Sequence, residues 1–95
     1  MFIINLTYKT KLEKIDQLLN KHIEFLNEQY EQGVFLASGR KNPRTGGIIL
    51  AKAERKSELE KIIEKDPFKA NGLADYQITE FIPSKTCDEL QFLME

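Results

Sequence analysis

The chain has 95 residues, of which 41% are hydrophobic and 31% are charged, and its 14 basic and 15 acidic residues give a formal net charge of −1. This length suits one domain with a substantial core, since a chain of this size buries roughly 60% or more of its unfolded surface. Basic and acidic residues are interspersed, which argues against a nucleic-acid partner, because that binding relies on several Lys or Arg contacts to phosphate.

The sequence also argues against membrane insertion or secretion, an internal disulfide and a Cys/His metal site. No apolar run approaches the about 20 residues that cross a bilayer, and the first residues lack the basic segment and cleavage site of a signal peptide, so we expect a cytoplasmic protein without membrane contact. Cys87 is the only cysteine, which excludes an internal disulfide. With a single histidine as well, the sequence predicts no metal site of the Cys/His type.

The first half of the chain predicts a strand followed by a long helix. Apolar and polar residues alternate over residues 2–8, with the period of a strand. Thr10-Lys11-Leu12-Glu13 fits a capping box, which predicts that a helix starts there. Its apolar stripe runs through Ile15, Leu19, Ile23 and Leu26 toward Tyr30, and Gly33 suits the left-handed residue that ends it.

The second half predicts a hairpin, a short helix and a last strand. Residues 34–40 and 46–51 form the hairpin across the turn-rich link 42–45. Arg40, Lys41 and Arg44 indicate a solvated hairpin end in preference to a local basic patch for nucleic acid. Further capping boxes at Ser57-Glu60 and Thr86-Glu89 predict a short helix that ends before Pro67 and a possible short C-terminal helix. Residues 75–82 are the predicted fourth strand.

The order βαββαβ predicts a ferredoxin-like α+β fold, with a four-stranded antiparallel sheet and two helices on one face. We expect a single domain over residues 1–95, with a core at 1–82 and a tail at 83–95. Strands 2 and 3 are apolar at neighbouring positions, whereas a solvated antiparallel face would alternate with polar residues. A second copy packed against the sheet, a homodimer, is the economical explanation.

His22 and Asp66 are the two residues that do not fit a purely structural pattern. His22 occupies a position on the apolar stripe of the first helix, and Asp66 opens the stiff step Asp66-Pro67-Phe68. A carboxylate that orients a histidine fixes its tautomer and raises its basicity. The structural alternatives remain open: His22 also suits a buried, satisfied histidine, and Asp66 suits a turn carboxylate that introduces the proline.

His22 within Lys21-Leu26, the strand motif Leu36-Gly39 followed by Gly46-Gly47, and Asp66-Pro67-Phe68 together resemble the YciI-like family of the dimeric α+β barrel superfamily. The resemblance covers most of residues 1–82. It implies a homodimer with a His/Asp pair in a pocket between helices and sheet, and activity, in some members, on oxygenated aromatic compounds, including dechlorination of a hydroxyquinol. The family often has proline after the serine-glycine step, where this chain has Arg40.

The residues predict acid–base chemistry without a cofactor on a small organic molecule. The resemblance implies that this molecule is an oxygenated aromatic and that the reaction is of the lyase or dehydrochlorinase type. His22 would be the base and Asp66 its orienting partner. Ser38 would orient a substrate oxygen and Arg40 would offset negative charge on a phenolate or enolate. The alternative is a non-catalytic module of the same fold that binds a small ligand or a partner protein, or that serves a larger enzyme. The sequence does not choose which of the tyrosines at positions 8, 30 and 76 reaches the pocket.

Overall fold

The computed structural model describes residues 1–94 and contains one four-stranded sheet with helices packed on one of its faces. In chain order the elements are β1 (Phe2–Tyr8), α1 (Leu12–Glu31), β2 (Phe35–Arg40), β3 (Gly46–Ala51), α2 (Lys56–Ile63), α3 (Pro67–Ala70), β4 (Ala74–Glu80) and a 3₁₀ helix (Asp88–Met94). All strand pairings are antiparallel, in the order β2-β3-β1-β4. This is the ferredoxin-like α+β arrangement that the sequence predicts, with α3 as an additional single turn.

The first strand organises the sheet because it lies between two neighbours. Ile4 is opposite Ile49 of β3 on one side and opposite Ile78 of β4 on the other. Phe2, Ile4 and Leu6 are buried while the alternate residues are not, so the period-2 pattern of β1 separates a helix-facing surface from an outer surface.

The core fills the space between this surface and the helices. Phe25 of α1 packs edge-on against Phe35 of β2, with ring centroids 5.8 Å apart, and Phe68 of α3 packs edge-on against Tyr8 of β1. Leu59 and Ile63 of α2 are buried in the same cluster. All three helices therefore cover one face of the sheet, and the residues between them lie at the centre of the fold.

The predicted capping residues at the starts of the two main helices are wrong. The helix α1 begins at Leu12 after Lys11, and α2 begins at Lys56 after Arg55; neither preceding residue makes a side-chain capping bond. Thr10 thus lies outside α1 and Ser57 lies inside α2. At α1 the chain is already fixed by backbone bonds that end β1, among them Lys9 N–H to Leu73 O, so tertiary pairing, and not a local hydroxyl, sets the start.

The helix end at Gly33 is confirmed, with a φ of 74°, in the left-handed region that glycine tolerates best. The predicted stripe of α1 is displaced around the helix: Ile23 is 43% exposed and Tyr30 is 37% exposed, whereas Phe25 and Gln29 are buried. The last strand also ends two residues before its predicted limit of 82.

The helices α1, α2 and α3 lie on one side of the sheet, and the outer face lies on the other. Ile3 of β1 and Ile48 of β3 are 37% and 39% exposed, and Ala37 of β2 is paired with Leu50 in the same layer. No helix among the described residues is long and apolar enough to span a membrane.

Candidate functional site

Asp66 is fixed by the backbone around it. It is the residue that caps α3: Pro67 occupies the first turn, and the Asp66 carboxylate accepts a hydrogen bond of 3.0 Å from the Phe68 amide. Proline suits this position because its missing N–H has no helical partner to lose. The side chain of Asp66 is fully buried, so its direction is set by the start of the helix and not by solvent.

His22 meets this carboxylate from the opposite helix. Its Nδ1 lies 2.8 Å from Asp66 Oδ1, and its ring stacks on Phe68, with centroids 4.1 Å apart and an interplanar angle of 11°. Because a carboxylate oxygen accepts, Nδ1 carries the proton in this bond, which leaves Nε2 as the acceptor of the neutral ring. The hydrogen-bonded pair expected from the sequence is present and is buried.

Tyr76 completes the surroundings of Asp66 and was not selected by the sequence. Its hydroxyl donates to Asp66 Oδ2 at 2.5 Å. Burial, together with the adjacent charge of Asp66 and the hydrogen bond, raises the pKa of Tyr76 well above its ordinary value. Tyr76 therefore remains a hydrogen-bond donor over the whole neutral range.

Strand alternation was the one available indication of Tyr76. Ala74, Tyr76 and Ile78 share the helix-facing side of β4, since Tyr76 is opposite Leu6 and Ile78 is opposite Ile4. That pattern places the ring on the side of the site, but the reach of its hydroxyl to Asp66 depends on where α3 packs.

A cavity of about 270 Å³ opens beside His22, between α1 and the strands β1, β3 and β2. Its wall is mostly apolar, with a smaller set of polar side chains. The lining residues that matter for chemistry are His22, Tyr8, Ser38, Arg40, Arg44 and Asp16. A concave, mainly apolar site with few polar groups is the usual form of a small-molecule pocket.

The two predicted substrate-binding residues both line this cavity. Ser38 and Arg40 are opposite Ile49 and Gly47 of β3, so they share the helix-facing side of β2. The Ser38 hydroxyl lies 2.6 Å from the hydroxyl of Tyr30, which holds its position. Arg40 makes no ion pair or side-chain hydrogen bond within residues 1–94.

Arg44 and Asp16 are members of the cavity wall that sequence reasoning missed. Arg44 lies in the link between β2 and β3, after the cis Asn42–Pro43 bond, and its Nη2 donates to Asp16 Oδ1 of α1 at 2.6 Å. The hydrogen bond with Asp16 raises the pKa of Arg44. Arg44 lies at the hairpin end, as predicted, and its side chain is 25% exposed, but its bond to α1 is a tertiary contact that the sequence does not show.

The structure thus defines a ferredoxin-like α+β domain with a buried histidine–carboxylate pair beside an open cavity. The YCII-related domain family matches residues 1–82, and the chain belongs to this family. The predicted family membership is confirmed.

The fold is similar to that of 5-chloro-2-hydroxyhydroquinone dehydrochlorinase (TftG) from Burkholderia phenoliruptrix AC1100, solved in complex with 2,5-dihydroxybenzoquinone. The TM-score is 0.74 at 19% sequence identity, and the match covers 84% of this chain and 91% of the other. At this identity the likeness establishes the fold alone. No curated protein shows a significant match to the chain.

Proposed function

We propose that the protein is an enzyme that performs acid–base chemistry, without a cofactor, on a small oxygenated aromatic molecule. The observation that carries the proposal is the hydrogen bond between His22 Nδ1 and the buried Asp66, which leaves Nε2 free at the wall of a ligand-sized cavity. A purely structural histidine needs a partner but has no need of such a cavity.

The proposed step begins with His22 as the base. Nε2 takes the proton from a ring hydroxyl, and the imidazolium returns this proton to the neighbouring ring carbon that carries a halide, which becomes tetrahedral as the C–O bond becomes a carbonyl. Nε2 then takes the proton from a second ring hydroxyl, and the electron pair left on that oxygen moves through the ring and expels the halide with its bonding electrons. The product is a quinone, and the net loss is one proton and one halide. Asp66 stabilises the imidazolium formed at His22, and Tyr76 and the Phe68 amide hold Asp66 in place.

Ser38 and Arg40 would act on the substrate oxygens. The Ser38 hydroxyl, held by Tyr30, can orient one oxygen, and the guanidinium of Arg40 can offset negative charge as the phenolate forms. The structural similarity to a dehydrochlorinase supports this class of reaction by analogy of fold.

The experiment uses a panel of chlorinated and unchlorinated polyhydroxybenzenes. Chloride release is followed by ion chromatography, and exchange of ring hydrogen in D₂O is followed by mass spectrometry. We expect the wild-type protein to accelerate one or both, and His22→Gln and Asp66→Asn to lower the rate by about 10²–10⁴-fold, the usual contribution of a general base.

The matched control is Asp75→Asn, which makes the same substitution at a carboxylate that is 74% exposed and paired with Lys9. It should leave the rate unchanged. Ligands that bind in the cavity with neither chloride release nor exchange would contradict catalysis and favour the non-catalytic binding module.

We also propose that the protein is a homodimer that associates through the outer face of the sheet. The support is the exposure of Ile3 and Ile48 on the face of the sheet opposite to α1, α2 and α3. In this arrangement the helices and the cavity of each copy stay on the outside of the paired sheets.

A further inference from the structure

We propose that the cavity selects ligands that carry a carboxylate in addition to the reacting hydroxyl, and that Arg40, with Arg44 of the same cavity wall, binds this carboxylate. The proposal rests on the cavity of the proposed function but concerns a fixed charge on the ligand, not the charge that develops during the reaction. The ligand class is a single-ring hydroxylated aromatic carboxylate.

The charge of the cavity wall is the first argument. Arg40 and Arg44 supply two positive charges and Asp16 supplies one negative charge, which leaves one positive charge on the wall when His22 is neutral. Asp66 is buried behind His22 and is not a member of the wall. An apolar cavity with one uncompensated cation favours an anionic ligand over a neutral one.

The two arginines differ in whether their N–H donors already have a hydrogen-bond partner. Arg44 is held by Asp16 through Nη2 alone. Arg40 lines the same cavity without a partner in residues 1–94. A guanidinium has five N–H donors in a planar fork that matches a carboxylate with two parallel hydrogen bonds. Arg40 is therefore the primary anion receptor, and Arg44 adds donors in the same wall.

The size of the cavity restricts the rest of the ligand. Its volume of about 270 Å³ compares with an apolar cavity of roughly 150 Å³ that accommodates benzene. One ring with several substituents fits. The apolar wall, which includes Leu19, Ile23 and Leu26 of α1, contacts such a ring.

The geometry of β2 sets the distance between the residue that binds the carboxylate of the ligand and the residue that orients its hydroxyl. Ser38 and Arg40 lie two residues apart on one side of β2, about 7 Å along the strand. A substituted ring can therefore place one oxygen near Ser38 and a carboxylate near Arg40 at the same time.

The test compares 2,5-dihydroxybenzoate with its methyl ester, which keeps the ring and hydroxyls and removes the charge. Binding to the full chain is measured at pH 7 by isothermal titration calorimetry and by the shifts of amide resonances around the cavity. We expect the acid to bind at least tenfold more tightly than the ester. Arg40→Gln should abolish this preference, whereas Arg55→Gln, at an exposed arginine outside the cavity, should retain it.

Equal binding of acid and ester overturns the proposal, as does an undiminished preference in Arg40→Gln or the absence of binding by the acid at 10 mM. The same titration in His22→Gln separates this proposal from the catalytic one. A charge preference that persists in His22→Gln without turnover by the wild type supports the anion site and contradicts the enzyme. Turnover by the wild type without a charge preference supports the enzyme and contradicts the anion site.

Discussion

Asp66 is the residue on which the geometry of the site depends. Its two oxygens accept from three donors: the His22 ring, the Phe68 amide and the Tyr76 hydroxyl. A buried carboxylate is costly unless its oxygens are satisfied, and here each oxygen has at least one partner. The same bonds that offset the cost of burial also fix the orientation of His22, so stability and site geometry share one set of contacts.

We predict that neutral His22 is protonated at Nδ1. Free imidazole side chains favour the Nε2-protonated form, but the acceptor at Asp66 reverses this preference. Long-range ¹H–¹⁵N spectra report the tautomer directly, and the signal is unambiguous because the chain has a single histidine. Observation of the Nε2-protonated form would mean that Nε2 cannot act as the base.

We predict that Tyr76→Phe destabilises the protein by about 1–3 kcal/mol at neutral pH, because Asp66 Oδ2 loses its donor. The penalty should shrink at alkaline pH. The pKa of Tyr76 is raised in the folded state above the ordinary value of 10.0, so above pH 10 the unfolded chain loses the tyrosine proton and the folded chain keeps it. The stabilising effect of the neutral hydroxyl is thus complete below pH 10 and is lost above it.

The measurement is the free energy of unfolding of both proteins in urea between pH 7 and pH 11. The difference between wild type and Tyr76→Phe should decline above pH 10, at a limiting slope of about 1.4 kcal/mol per pH unit. A difference that stays constant across this range would show that Tyr76 titrates equally in both states.

The histidine–aspartate pair could be predicted from the sequence because each of its residues breaks a local pattern. His22 is polar on an apolar stripe, and Asp66 precedes a proline. Tyr76, Arg44 and Asp16 break no such pattern. Their roles come from the packing of α3 on β4 and of the hairpin link on α1, which sequence periodicity does not encode.

The strands and helices differ in how well their limits could be predicted. Strand limits agree to within two residues because alternation is enforced by the two different faces of the sheet. The predicted helix starts rest on capping boxes, and they are wrong at Thr10 and Ser57. A capping motif describes only the local bonding of a hydroxyl, whereas at α1 the backbone pairing at the end of β1 fixes the chain.

The glycines of the hairpin provide a test of strand pairing. A Cβ built on Gly46 would lie 1.8 Å from the Leu6 carbonyl oxygen, while a Cβ on Gly39 meets nothing within 4 Å. We therefore expect Gly46→Ala to lower the free energy of unfolding by about 2 kcal/mol or more, through displacement of β3 from β1. Gly39→Ala is the matched control and should change it by less than about 1 kcal/mol. Equal effects in urea unfolding would show that β1 and β3 are less closely paired at Gly46.

At the scale of the whole molecule, the two faces of the sheet differ in how far their apolar residues are buried. The helix-facing side supplies both the core and the cavity, whereas the outer side exposes Ile3 and Ile48. The sequence indicated this from the adjacent apolar residues of β2 and β3, since a strand that faced solvent on one side would alternate. Leu90, Phe92 and Met94 of the 3₁₀ helix are also 42–50% exposed, so apolar surface extends beyond the sheet.

We predict a dimer of twice the 11.0 kDa chain mass in sedimentation equilibrium at micromolar concentration. Ile3→Glu should convert it to a monomer, because a carboxylate at the centre of the paired sheets would be buried without a partner. Leu12→Glu is the matched control: Leu12 is similarly exposed, at 41%, but lies at the start of α1, away from the outer face. Circular dichroism of both variants checks that the fold is retained. A wild-type monomer would contradict the dimer, and a dimer that survives Ile3→Glu but not Leu12→Glu would place the interface on the helices, where it would restrict access to the cavity beside His22.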